Sequence, residues 1–143
     1  MSLSSAVSGF GTLLKIGDGG GPEAFTTIAE VKDISGPAFT LDTEEVTNHS
    51  TVGAYKEYIA TLKDGGDVTF DLNYFGDATH EALRDAYENR ERTNFQMVFP
   101  ITAPGNEQID FSGFVTNLGM SAPVAGILTQ SVTVKITGQG TWS

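Results

Sequence analysis

Hydrophobic and polar residues alternate most cleanly at residues 68–74, where Val68, Phe70, Leu72 and Tyr74 are separated by Thr69, Asp71 and Asn73. A period of two predicts a strand with one dry face and one wet face. The same period returns near the C-terminus, where Leu128, Val132, Val134 and Ile136 are interleaved with Thr129, Ser131, Thr133, Lys135 and Thr137 before Gly138 closes the run. Shorter runs bounded by Gly, Pro or Asn predict strands at 12–16, 25–34, 39–46, 95–99 and 109–118, seven in all. One segment, 77–90, switches to helical spacing. Ala82, Leu83, Ala86 and Tyr87 form an apolar stripe opposite Glu81, Arg84, Asp85 and Glu88, with Asp77 or Thr79 as cap. A stripe this narrow suits packing on one side of a sheet. The expected fold is therefore mainly β, of α+β type: an antiparallel β-sandwich or partly closed barrel with one flanking α-helix.

The connection at 47–67 does not fit a hairpin turn. Unstructured connections beyond about 12–15 residues are uncommon in compact domains and usually serve function or stay disordered. This one carries Tyr55, Tyr58, Ile59 and Leu62, apolar bodies that an isolated chain would leave in water. The expectation is a long inter-strand loop that another protein chain covers. Residues 1–11, small and polar around Val7 and Phe10, are expected to form an N-terminal arm, and 1–143 a single domain with no internal repeat.

Length and charge narrow the partners. A chain of 143 residues can bury a core without disulfides or metals. Its net charge of −10, from 18 acidic and 8 basic residues, opposes static binding to nucleic acid or to an anionic membrane. Transient passage of DNA past the protein remains compatible with that charge. With no cysteine there is no thiol nucleophile and no thiolate metal site. No stretch approaches the roughly 18 continuous apolar residues of a membrane span, and the first residues lack the pattern of a secretory signal, so folding in a cytoplasm is expected.

No catalytic motif is complete in this sequence. His80-Glu81 opens like a zinc-protease helix, but the second histidine position holds Arg84, and His80 reads as a solvated helix residue. His49 beside Ser50 lacks the glycines of a nucleophile elbow and reads as a hydrogen-bonding loop residue. The run Gly17 to Gly21 has no Lys-Ser/Thr after it, which makes it a turn rather than a phosphate loop. Asp42, Glu44 and Glu45 do not match a calcium loop, and a solvated strand face accounts for them. No cofactor and no enzymatic activity are expected. Trp142 and the phenylalanines read as core or interface anchors rather than a base-stacking platform, because no basic residues interleave with them.

Three segments taken in order, Val31-Lys32-Asp33-Ile34-Ser35-Gly36-Pro37, Val46-Thr47-Asn48-His49 and Leu62-Lys63-Asp64-Gly65-Gly66-Asp67-Val68-Thr69-Phe70, resemble the tail tube (major tail) protein of long, non-contractile-tailed bacteriophages. The ending Val132-Thr133-Val134-Lys135-Ile136-Thr137-Gly138 is similar to that family's last strand. The resemblance implies a virion protein that assembles as hexameric rings stacked into a hollow tube through which DNA passes. It also implies a tape-measure protein inside, and a tail terminator and baseplate or distal tail proteins at the ends. No extra immunoglobulin-like domain is recognised, so no decoration role is expected. On this reading Asn48, His49, Tyr55, Tyr58, Ile59 and Leu62 are the inter-subunit contacts. Asp42, Glu44, Asp71 and Asp110, which alternate with core residues on strands, are the candidate lumen-lining acids. The alternatives are the tube of a contractile or secretion-type injection system, a monomeric carbohydrate-binding β-sandwich using Trp142 or the loop tyrosines, and a small hydrolase with His49 as base.

Overall fold

In the computed structural model, which describes residues 4–102 and 107–143, the alternating segments form one antiparallel sheet. In chain order the elements are β1 (Leu13–Gly17), β2 (Phe25–Thr27), β3 (Val31–Ser35), β4 (Thr40–Glu45), a 3-10 turn (Val52–Ala54), β5 (Tyr58–Asp64), β6 (Asp67–Asn73), α1 (Ala78–Glu88), β7 (Thr93–Val98), β8 (Gln108–Ser121), β9 (Thr129–Ile136) and β10 (Thr141–Trp142). The main sheet runs β2-β1-β7-β8-β9-β6-β3, with β10 added beside β8, and β4-β5 forms a separate two-stranded sheet.

Side-chain alternation builds the core. Val68, Phe70 and Leu72 of β6 and Val132, Val134 and Ile136 of β9 point inward from paired strands, joined by Phe111 and Val115 of β8 and Phe95 of β7. Leu14 and Ile16 of β1 belong to the same cluster although β1 and β6 lie near opposite ends of the path, so the sheet folds around its own core. Its end strands β2 and β3 do not pair with each other. Among the described residues the architecture is mainly β with a single α-helix, and the barrel stays open.

The strand β8 carries much of this curvature. Its first half pairs with β7, its second half pairs with β9, and a bulge at Thr116 between Val115 and Asn117 lets the strand bend. Gly113 sits at the exchange, paired with both Thr93 and Ile136.

The helix follows its expected span but is rotated from its expected stripe. Its cap is Asp77, whose carboxylate accepts from the Thr79 backbone, and its buried residues are Thr79, His80, Leu83 and Ala86. Tyr87 is exposed instead. His80, expected in solvent, is buried between Tyr74 and Phe75 and donates from Nε2 to the carbonyl of Ala29 at 2.8 Å.

Three further differences concern segmentation. The expected strand at 25–34 is two strands, because Glu30 takes a left-handed conformation (φ 52°) between them. A short β10 pairs Thr141 and Trp142 with Asp110 and Ile109. The expected loop at 47–67 contains a full strand, β5, which shortens the true connection to residues 46–57. Of the expected arm, residues 1–3 lie outside the described residues, and 4–11 are exposed and precede the first strand.

Candidate functional site

The hairpin β4-β5 is the part of the molecule that the core does not account for. Its strands pair through Thr40 with Asp64, Leu41 with Lys63, Thr43 with Ala60, Glu44 with Ile59 and Glu45 with Tyr58. Thr61 and Leu62 together oppose Asp42, a bulge in which the Thr61 hydroxyl donates to the Asp42 carbonyl at 3.1 Å. Every residue of both strands is exposed. Tyr58 and Ile59 are neighbours and leave the ribbon on opposite faces, so neither face is an inside.

The tip is held by its own polar groups. Asn48 Oδ1 accepts from Ser50 N at 2.8 Å, Thr51 Oγ1 accepts from Asn48 N at 2.9 Å, and Thr47 Oγ1 accepts from Glu57 N at 2.8 Å. The 3-10 turn then closes with Tyr55 N donating to Val52 O. Local side-chain bonds of this kind satisfy a turn that has no core to lean on. Asn48 thus shapes the tip. His49 is exposed there, and no carboxylate or nucleophile bonds to it among the described residues.

At its root the hairpin is anchored. Gly66, in a left-handed conformation at φ 70°, lets the chain turn into β6 where a Cβ would meet the Ala38 carbonyl oxygen at 2.7 Å. Phe39 packs on Trp142 (6.1 Å between ring centres), and Trp142 stacks on Phe99 (6.5 Å). A groove of about 660 Å³ runs between this root and the C-terminal strand, lined by Leu41, Ile136 and Trp142 among others. The sequence marks Trp142 and the phenylalanines as anchors, but neither the pairing of Phe39 with Trp142 nor the groove is legible in it, because the contact bridges residues about a hundred positions apart.

The six expected contact residues all lie on this hairpin. Tyr55 is 78% and Leu62 75% exposed, and Tyr58 and Ile59 are about half exposed. The four expected lumen acids do not share one surface. Asp42 and Glu44 lie on the hairpin; Asp71 lies on the outer face of β6, accepting from Ser131 Oγ at 2.7 Å; Asp110 lies on β8 and accepts from Gln108 Nε2 at 2.9 Å. Around Asp71 the outer face is polar throughout, with Asp67, Thr69, Thr133 and Lys135, and Lys135 pairs with Asp67 at 3.7 Å.

This open antiparallel sheet with one helix is shared with subunits of tail tubes. The chain is similar to a subunit in the tail of an empty gene transfer agent particle solved with C6 symmetry (TM-score 0.79, 18% identity, 96% of this chain and 99% of that one). It is similar to a chain of the sheath-tube complex of an extracellular contractile injection system (TM-score 0.70, 15% identity, 99% and 93%). It also resembles the SPP1 tail tube (TM-score 0.70, 14% identity, 96% and 80%). Comparison with curated protein sequences returned no match. Residues 15–143 match the family described as lambda phage tail tube protein, and the chain belongs to that family. It is a structural protein of the virion tail, a subunit of the tail tube.

Proposed function

We propose that this protein polymerises into stacked hexameric rings and that the β4-β5 hairpin makes the contacts between copies. The observation that carries the reading is the hairpin's exposure on both faces, since a lone two-stranded ribbon is marginal in water. Burial against neighbouring copies stabilises such a ribbon, and interface energy concentrates in a few large anchors such as Tyr55, Tyr58, Ile59 and Leu62. The sixfold symmetry of the similar gene transfer agent tail supports the ring number. The similar chains in a baseplate, a tube terminator and a tube cap support end-capping partners here. A tape-measure protein inside the growing tube is what the family resemblance implies.

The role needs no catalysis. Assembly would take place in the host cytoplasm, with no membrane partner, and double-stranded DNA would pass through the bore without being held. The outer face of β6, carrying Asp67, Thr69 and Asp71 opposite the buried Val68, Phe70 and Leu72, is assigned to the bore because its carboxylates and hydroxyls repel or slip past phosphate. Imaging the purified, concentrated chain tests the reading, with a deletion of residues 50–60 as control. Tubes from the intact chain and none from the deletion are expected; tubes retained by the deletion would remove the hairpin from the interface.

A further inference from the structure

From Phe111 to Val134 the chain carries no charged residue, in a molecule whose net charge is −10. This neutral stretch forms most of β8, most of β9 and the loop at 122–128 between them. Thr129 pairs with both Asn73 and Ser121, which places the loop at the end of the sheet where β6 finishes. The β4-β5 hairpin joins β6 at the other end, through Gly65 and Gly66, where Asp67 pairs with Lys135. Seven residues of strand separate the two ends by roughly 20 Å. At the loop end Val124 is fully exposed and Met120, Ile127 and Phe75 are more than half exposed. Leu128, with its carbonyl accepting from Tyr74 N at 3.0 Å, fixes the loop against the end of β6.

The charges of the two ends favour their meeting. The hairpin carries Asp42, Glu44, Glu45, Glu57 and Asp64 against Lys56 and Lys63. On the acidic remainder of the surface it would meet like charge; on the neutral loop it meets none, and apolar groups stand on both sides. Two unlike patches at opposite ends of the same strands make a heterologous contact, which builds an open filament wherever the rotation from copy to copy does not close a ring.

We propose that the hairpin of one copy seats on the loop at 122–128 of the next copy along the tube, with Val124 and Ile127 against Tyr55, Tyr58 and Leu62. The assignment rests on the self-assembly reading and names the surface that receives the hairpin.

Because the chain has no cysteine, Leu62→Cys and Val124→Cys each introduce one thiol. The two full-length variants, mixed, polymerised and treated with a short bismaleimide, are expected to give a cross-link joining position 62 of one copy to position 124 of another. Val124→Asp is expected to raise the concentration needed for tube formation roughly tenfold, and Val124→Lys much less, because lysine faces an acidic hairpin. Both should melt like the parent, since the side chain is exposed. Parent tubes with no 62–124 cross-link, or with Asp and Lys variants assembling alike, overturn the assignment and leave self-assembly standing. A parent chain that forms no tube under any condition overturns both.

Discussion

Gly113 lies directly against the backbone of Lys135: a methyl group on its Cα would strike the Lys135 carbonyl oxygen and come within 2.9 Å of Val134 Cγ1. The contact sits where β8 exchanges β7 for β9, so it holds the two halves of the sheet in one surface. Gly113→Ala should therefore destabilise the monomer by about 1–3 kcal/mol through overpacking. Gly119→Ala, on the same strand, meets nothing closer than Ser131 at 4.0 Å and should change stability by no more than about 0.5 kcal/mol. Urea unfolding of the two variants checks the contrast; equal losses would mean that the exchange at Gly113 is not sterically set.

Leu62→Lys separates folding from assembly. The side chain is 75% exposed and contributes nothing to the core cluster, so the monomer's unfolding midpoint should stay within about 0.5 kcal/mol of the parent. Tube formation should be lost, because a charge at a buried anchor of an interface has no partner there. Sedimentation of concentrated protein reads the second outcome. A variant that still polymerises would show that Leu62 stays in water in the tube.

These contrasts also explain which parts of the structure were legible in the sequence. The strands around Val68–Leu72 and Val132–Ile136 were plain because one face of each is core, which forces strict alternation. β5 is hidden in the sequence because its residues obey no such rule: Tyr58, Ile59 and Leu62 stand on both faces, and the bulge at Thr61 and Leu62 breaks the period. The exposure of its large apolar residues is nonetheless legible, since Tyr58, Ile59 and Leu62 follow no periodic pattern that a core would impose. His80 departs from the expectation for the opposite reason. Its polar residue type predicts solvent, whereas its burial follows from Tyr74 and Phe75, whose rings lie 5.4 and 5.0 Å from the imidazole.

His80 ties the helix start to the turn between β2 and β3, since its Nε2 donates to the Ala29 carbonyl and the Ala29 N–H donates to Thr79 Oγ1 at 3.1 Å. His80→Phe keeps the aromatic packing but leaves the Ala29 carbonyl without this donor, so it should cost about 1–3 kcal/mol. Thermal unfolding measures the loss. An unchanged midpoint would mean that water replaces the imidazole there.

The cap of the same helix sets an acid dependence. Hydrogen bonds from the Thr79 hydroxyl and backbone N–H hold the Asp77 carboxyl below the ordinary aspartate value. A carboxyl lowered in the folded state contributes stability that is complete above its unfolded value of about 3.9 and is lost as pH falls through the lower folded value. Asp77→Asn keeps a capping oxygen but removes the titration. Between about pH 5 and about pH 2 the parent's melting temperature should therefore fall further than the variant's. Asp18, lowered by the N–H groups of Gly20 and Ala24, acts in the same window and remains in both proteins, so it cancels in the comparison.

Asp71 tests which face lines the bore. It is half-buried on the outer face of β6, held by the Ser131 hydroxyl, opposite the face that buries Phe70 and Leu72. Reversing its charge leaves the core residues Phe70 and Leu72 untouched, so Asp71→Lys should fold and form tubes of normal length. In a ring each copy would then present a cation where a carboxylate stood, and phosphates passing within a Debye length would be attracted instead of repelled. DNA release from particles carrying the variant should slow at low ionic strength and recover as salt is raised. Asp42→Lys, on the hairpin, should instead alter tube formation and leave release unchanged in the tubes that form. If release from the Asp71→Lys particles keeps the parental rate at low salt, this face does not meet the DNA, and the bore must be assigned to another surface of the sheet.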